Sequence, residues 1–412
     1  MSTSSFPAGF LFGVAGSGHQ TEGDDVTSDT AFLESLSPTI FREPAGPACR
    51  SWERWAQDLD LAAGMGLDAY RFSVEWCRVE PAPGEIDESA LDRYEAIVDG
   101  CLARGMTPLV TYNHFTNPHW VARLGGFTSE SVGEHFAQYC ARVTRRFGDR
   151  IGYAITFNEP NLPRLLSWIT LPQFVCDLER ATLEGAARTA GVPRYVASNV
   201  VLPEVFGELE DGLAAAHVLA TSAIKAERAD LPVGLSIAIM DDIVVGDDPT
   251  ARDVKRDQCY ERWLGLARDD DFVGVQNYER IVFDGAGVVP PGPGTPVNQM
   301  HSAIEPDSLA GAVRYAYERA GLPVLVTEHG IAIEDDAVRA AFIPASLAGL
   351  SEVVAEGVPV LGYTHWTLLD NYEWVFGYES KLGLCEVDRV TFDRTPKPSA
   401  AVYAGLVAAS RA

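Results

Sequence analysis

Two carboxylates in this chain stand where a carboxylate is costly. Glu159 closes the run YAITFNEP (residues 153–160) and Glu328 sits within VLVTEHG (324–330), each just past a string of apolar, strand-forming residues. Removing an ionised carboxylate from water is unfavourable unless something pairs or uses it. Candidate partners fall at the same place in other apolar runs. They are Arg71 in DAYRFSVEW, Asn113 and His114 in MTPLVTYNH, Asn158 beside Glu159, Gln276 and Tyr278 in DFVGVQNY, and Trp366 in VLGYTHWT. Guanidinium, amide, imidazole and phenol groups bind hydroxyls by hydrogen bonds, and an indole offers a flat apolar face. Two carboxyls among such neighbours are equipped to cut a glycosidic bond: one protonates the leaving oxygen while the other acts at the anomeric carbon.

For these residues to meet, the ends of several strands must converge. Eight strand-like runs lie near 10–16, 68–76, 106–114, 153–159, 233–239, 271–278, 324–330 and 360–367. Between them come longer stretches such as SWERWAQDLDLAAGMG and SVGEHFAQYCARVTRRFG, whose apolar residues recur at helical spacing. Near-continuous Val, Ile, Leu and Phe fit a parallel sheet covered on both faces, and strand–helix alternation fits repeated βαβ units. The chain is therefore expected to be α/β, a single (β/α)8 barrel over residues 1–412. Its C-terminal mouth would gather the polar strand ends, with Glu159 on the fourth strand facing Glu328 on the seventh. Residues 160–212 and 281–300 form long connections, the expected extended loops of that face. Within the second, GAGVVPPGPGTP is too rich in Gly and Pro for regular structure.

The bulk properties narrow the partners. A chain of 412 residues, 47% of them hydrophobic, can bury a large core, and a formal net charge of −26 repels nucleic acid and anionic membrane. No apolar stretch reaches the roughly 18–20 residues of a membrane span, and the N-terminus lacks an export pattern. Seven cysteines are scattered without CxxC spacing, which suits reduced thiols and a cytoplasmic setting. His114 and His119 lie at no trusted zinc spacing, so no metal or other cofactor is expected. A small-molecule substrate is the partner, and oligomeric state leaves no mark in the sequence.

Six motifs in order along nearly the whole chain give this sequence a resemblance to glycoside hydrolase family 1, the retaining β-glucosidase and β-glycosidase family. They are FLFGVAGSGHQTEG, YRFSVEW, YNHFTNPHW, TFNEP, VTEHG and HWTLLDNYEWVFGY. The resemblance implies a TIM barrel without cofactor, with Glu159 as acid/base and Glu328 as nucleophile of a covalent glycosyl-enzyme. It further implies that Arg71 and Tyr278 keep Glu328 ionised and that Asn158 bonds the sugar 2-hydroxyl. Gln20, His114, Glu373 and Trp374 would read the remaining hydroxyls, with Trp366 as the platform under the ring. Retention of Glu159 favours O-glycosides over thioglycosides, and Glu373 would repel a phosphorylated sugar. Alternatives on the same frame are a transglycosylating β-glycosidase and a catalytically silent sugar-binding barrel.

The chain departs from the family pattern in several places. His329 stands where Asn usually follows the nucleophile, and its strand position points it away from the bowl as a packed residue. Gln276, Asn277, Tyr278 replace the usual Asn-Tyr-Tyr. Phe115 and Asn117 replace Trp and Leu in the third motif and are expected to reshape the pocket wall. Trp52, Trp55 and Trp76 read as packing residues. The apolar run from Leu162 to Phe174 reads either as an extra helix packing its own face or as a lining for hydrophobic leaving groups.

Overall fold

A computed structural model describes residues 6–169 and 171–411. Residues 1–5, on which the export reading partly rests, and Thr170 lie outside them. Eight parallel strands close into a barrel: β1 Leu11–Ala15, β2 Ala69–Ser73, β3 Thr107–Asn113, β4 Tyr153–Asn158, β5 Val233–Ala238, β6 Phe272–Asn277, β7 Val324–His329 and β8 Val360–Trp366. Each pairs with the next, and β8 pairs with β1, Leu11 opposite Gly362. Helices follow the strands as an outer ring: α1 Ser51–Gly64, α2 Glu88–Ala103, α3 Glu130–Phe147, α4 Phe206–Glu227, α5 Thr250–Arg256, α6 Ser308–Ala320, α7 Asp336–Ala355 and α8 Pro398–Ser410.

The pattern of burial explains the choice of elements. Every residue of β5, β6 and β7 is buried, because one side chain faces the barrel interior and the next faces a helix. On α3 the buried positions Val132, Phe136, Tyr139, Cys140, Val143 and Phe147 form one stripe at helical spacing. Asp87 caps α2 by accepting from the amides of Ser89 and Ala90, and Gly321, at φ +73°, lets the chain leave α6. The lower barrel is plugged by Ala69, Leu109, Ile155, Phe272 and Leu325. Above them small polar residues take over: Ser236 and Thr327 share a hydrogen bond of 2.5 Å, and Thr364 donates to Val326 O at 3.0 Å.

Two strands break their alternation near the mouth. β4 shifts register between Ile155 and Asn158, and β7 between Val326 and Glu328. On β4, Thr156 bonds His217 of α4 and Phe157 packs on Phe136 of α3, so two successive side chains face outward. Asn158 is thereby turned back toward the barrel axis, the usual effect of a bulge.

The long connections are more ordered than their sequences suggest. Residues 160–212 hold helices Leu162–Leu166 and Gln173–Ala190 and build a second core at the rim, where Leu183, Ala186, Tyr195 and Val200 meet Leu33, Phe41 and Tyr372. The Gly/Pro-rich segment is not wholly irregular. Gly287–Val289 pairs antiparallel with Arg280–Asp284, and Asp284 Oδ1 fixes the turn by accepting from the amides of Ala286 and Gly287. A second correction concerns apolar length. Helix α7 is 20 residues long and apolar enough by composition to span a membrane. Here it is an outer-ring helix with Arg339 buried and bonded to Asp336, Ile333 and Lys381.

Candidate active site

The mouth of the barrel is organised around Glu328. Arg71, fully buried on β2, donates from Nη1 to Glu328 Oε1 and, at 3.2 Å, to Thr327 O. Its Nη2 donates to Asn158 Oδ1 at 2.6 Å and its Nε to Thr111 Oγ1 at 3.1 Å. Tyr278 donates its hydroxyl to Glu328 Oε2 at 2.6 Å. Gln276 donates through Nε2 to Glu328 Oε1 at 2.8 Å and to Asn158 Oδ1 at 2.5 Å.

These contacts fix both amides without ambiguity. Arginine has no acceptor, so Asn158 must present oxygen to it. That oxygen and the Glu328 carboxylate then both require a donor, so Gln276 must present its NH2. Asn158 Nδ2 and Gln276 Oε1 are left buried and without a partner among the described residues, as is His114 Nδ1. Buried polar atoms in that state call for a ligand that can both donate and accept, as hydroxyls do.

Glu159 is treated differently. It follows β4 at φ +41°, a left-handed conformation that a non-glycine residue rarely holds. Its amide bonds Ser236 O at 2.8 Å, and Asn161 clamps the turn to β5 through both the amide and the carbonyl of Ala238. Burial and then the nearby Glu328 charge push the Glu159 carboxyl well above the usual carboxylate range. Burial raises Glu328 as well, but Arg71 and the Tyr278 hydroxyl pull it back toward the ionised form. One carboxyl is thus favoured as an acid and the other as an anion.

The rim supplies the remaining groups. Gln20, on the turn Gly18–Thr21 after β1, donates to Tyr372 O at 2.7 Å and Glu373 Oε2 at 3.2 Å. Burial, with Glu328 nearby, pushes Glu373 up to about 8. Four aromatic rings share nearly one orientation: His19 and Trp374 within 10°, Trp374 and His114 within 11°, His114 and Trp366 within 13°. Phe115, at φ +67°, meets Trp374 edge-on at 5.4 Å.

The residues singled out from sequence as site candidates therefore gather at one mouth, around Glu328 and around Gln20 and Glu373, except Asn113, which donates to Thr116 O and Asn117 Oδ1 instead, and Asn117 itself. Asn117 does not shape the wall: it is buried and bonded to Asp29, Ser198 and Asn113 as a hub beneath the loop. His329 turns away from the bowl, stacks on Phe342 at 5.1 Å and bonds the Tyr363 hydroxyl at 3.1 Å, while burial drives its pKa to about 3. Sequence reasoning missed Asn161, Thr111 and the His19 cluster, because their roles depend on contacts between distant segments. Asp25, Glu75 and Cys77 lie close enough to suggest a metal, but Asp25 is taken by His19 and Glu75 by Ser73. Burial also pushes the Cys77 thiol well up, away from the thiolate a metal needs.

Comparison with known proteins agrees with this geometry. The family model for glycosyl hydrolase family 1 matches residues 2–182 and 276–411. A β-glucosidase of Agrobacterium sp. is 32% identical, over 97% of this chain and 95% of its own. The solved apo structure of β-glucosidase 1317 superposes with a TM-score of 0.92 at 38% identity, covering 97% of this chain and 98% of that one. A Thermotoga maritima β-glucosidase in complex with glucoimidazole shares the fold, with a TM-score of 0.81 at 24% identity and 99% of each chain covered. With a buried carboxylate pair at the mouth of the barrel and end-to-end kinship to β-glucosidases, the chain is a glycoside hydrolase with β-glycosidase activity and belongs to glycosyl hydrolase family 1.

Proposed function

We propose that the protein is a retaining exo-β-glycosidase, most active on β-glucosides, that works through a covalent glycosyl-enzyme on Glu328 with Glu159 as acid/base. The observation that carries this reading is the asymmetry of the pair. Glu328 receives hydrogen bonds from Arg71, Tyr278 and Gln276, whereas the Glu159 carboxyl receives none among the described residues. In the first step Glu159 protonates the leaving oxygen as the C1–O bond breaks and Glu328 bonds to C1 from the opposite face. Esterification removes the Glu328 charge that had raised the Glu159 pKa, so Glu159 can now take a proton from water. Water attacks C1, the ester breaks, and the sugar leaves with its original configuration. Asn158 Nδ2 and Gln276 Oε1 are free to bond the 2-hydroxyl beside the nucleophile.

The aglycone side is read as apolar. In the connection after β4, Leu162, Leu165 and Trp168 pack on the core, while Leu166, Ile169, Leu171 and Phe174 stay exposed. Part of the run is thus ordinary packing, and the exposed part is the proposed contact for hydrophobic leaving groups. A reducing, cytoplasmic setting is supported by seven cysteines that remain free thiols, six of them buried.

The test is hydrolysis of p-nitrophenyl β- and α-glycosides of glucose, galactose, fucose, mannose and 6-phosphoglucose. Fast release from the β-glucoside, abolished in Glu328→Ala, is expected. Glu159→Ala should deglycosylate slowly and be partly rescued by azide. Sugar binding without turnover across the panel would replace the hydrolase mechanism with a silent binding barrel.

A further inference from the structure

His19 takes no part in the chemistry above, yet it is buried and bonded at both nitrogens. Nδ1 lies 2.8 Å from Asp25 Oδ2, and Nε2 lies 2.9 Å from Glu34 Oε1. A neutral imidazole has one N–H and one lone pair, so one carboxylate would face a nitrogen with nothing to donate. Carboxylates on both sides suit the doubly protonated ring. Burial opposes that charge, but Asp25 and Glu34 outweigh it and raise the His19 pKa well above its ordinary value. The neighbouring cation, Arg78, is occupied by Glu22 at 2.7 Å.

The ring also does something beyond satisfying two acids. It lies parallel to Trp374 with centroids 5.4 Å apart, while Tyr372 meets it edge-on at 5.7 Å. Trp374 holds φ +43°, a conformation that persists only where neighbours over-determine it. The next residue in the chain, Gln20, bonds Glu373 and the Tyr372 carbonyl. One side chain therefore joins the turn after β1, the 25–34 segment and the 372–374 loop.

From this arrangement we propose that His19 is a positioning residue for the sugar end of the site. It is a buried imidazolium, held by Asp25 and Glu34, that braces Trp374 and the Gln20–Glu373 pair against the glycone. The proposal rests on the β-glycosidase reading and deepens it: the sugar-facing wall is set by a charge that never touches sugar. Without that charge, Asp25 and Glu34 lose their shared partner and repel one another, and Trp374 loses its backing.

Two measurements on the full chain test it. Nitrogen-15 NMR at pH 7, assigned with His19→Phe, should show both His19 nitrogens carrying protons; a neutral-tautomer pattern would overturn the proposal. Inhibition by glucoimidazole should weaken about tenfold in His19→Phe, as expected when buried acceptors lose a charged donor, with KM for the β-glucoside rising more than kcat falls. Glu34→Gln, which leaves Asp25 on the ring, should weaken inhibition by a smaller factor and serves if His19→Phe fails to fold. Unchanged inhibition in the folded variants would overturn the bracing role. If the wild-type protein neither binds glucoimidazole nor cleaves β-glucosides, the glycosidase reading itself fails, and the NMR result stands apart from that.

Discussion

Arg71 and Tyr278 hold the same carboxylate by different means, and removing each should have a different signature. Tyr278→Phe deletes one hydrogen bond to ionised Glu328, which costs about 1.5–3 kcal/mol for a bond to a charged group. The Glu328 pKa should rise, so the acidic limb of kcat/KM moves to higher pH by about one unit or more while the alkaline limb stays. Arg71→Met removes the cation bonded to Glu328 and should leave Glu328 protonated near neutral pH, with activity lost more than about a hundredfold. A pH–rate profile of the two variants checks both, and an unmoved acidic limb in Tyr278→Phe would contradict the assignment. Glu159, Glu328, Arg71 and Tyr278 were legible in the sequence because a polar residue at the end of an apolar run is conspicuous. The two hydrogen bonds from Gln276 to Glu328 and Asn158, the Asn161 clamp and the His19–Asp25–Glu34 cluster were not, since nothing local in the sequence marks which distant groups will meet.

At the level of elements, the eight strands were legible from apolar runs, and the structure places each within two or three residues of the sequence-based bounds. The bulges in β4 and β7 were not, because a strand read at strict period two turns successive residues to opposite faces. The β4 bulge is anchored by Phe157, which lies 4.6 Å from Phe136 and 5.1 Å from Phe127 between ring centroids. Phe157→Ala should therefore lower stability by about 3–5 kcal/mol, read by thermal or denaturant unfolding, and loosen Asn158 and Glu159 so that kcat falls in the folded protein. On the connection after β4, replacing exposed Ile169 and Phe174 by Ser should leave cellobiose hydrolysis nearly unchanged and reduce that of aryl or terpenoid glycosides. Equal losses on both substrates would remove the apolar aglycone contact. That loop's helices were only half legible, because an apolar run of this length fits a packed face and an open one equally well.

The whole molecule carries an unusual load of buried acid beside the site. Burial pushes Glu22 and Asp29 up to about 7 and Glu75 and Glu373 up to about 8. In the unfolded chain such carboxyls release their protons near pH 4. Between those values the folded protein binds protons that the unfolded chain has lost, so stability falls as pH rises through roughly 4 to 8. The raised pKa of His19 acts in the same direction, its contribution fading as pH rises through the folded value. Half-buried acids held low by arginine, such as Glu95 beside Arg150, act oppositely and fail only in stronger acid. Melting temperature should accordingly be higher at pH 5.5 than at pH 8.5, and a flat or rising trend would contradict the protonated cluster. The acidic composition was plain in the sequence, but the gathering of several carboxyls in a buried cluster near Gln20 was not, since the residues span 22 to 373.

The central claim is a covalent bond between Glu328 and the sugar. The most direct measurement is intact and peptide mass spectrometry after incubation with 2,4-dinitrophenyl 2-deoxy-2-fluoro-β-glucoside, whose fluorine slows both attachment and release of the glycosyl group while its good leaving group restores the rate of attachment alone, so that the adduct accumulates. One fluoroglucosyl mass on the peptide containing Glu328, absent in Glu328→Gln, is the expected result. Turnover with no trapped adduct, or an adduct on another residue, would contradict it.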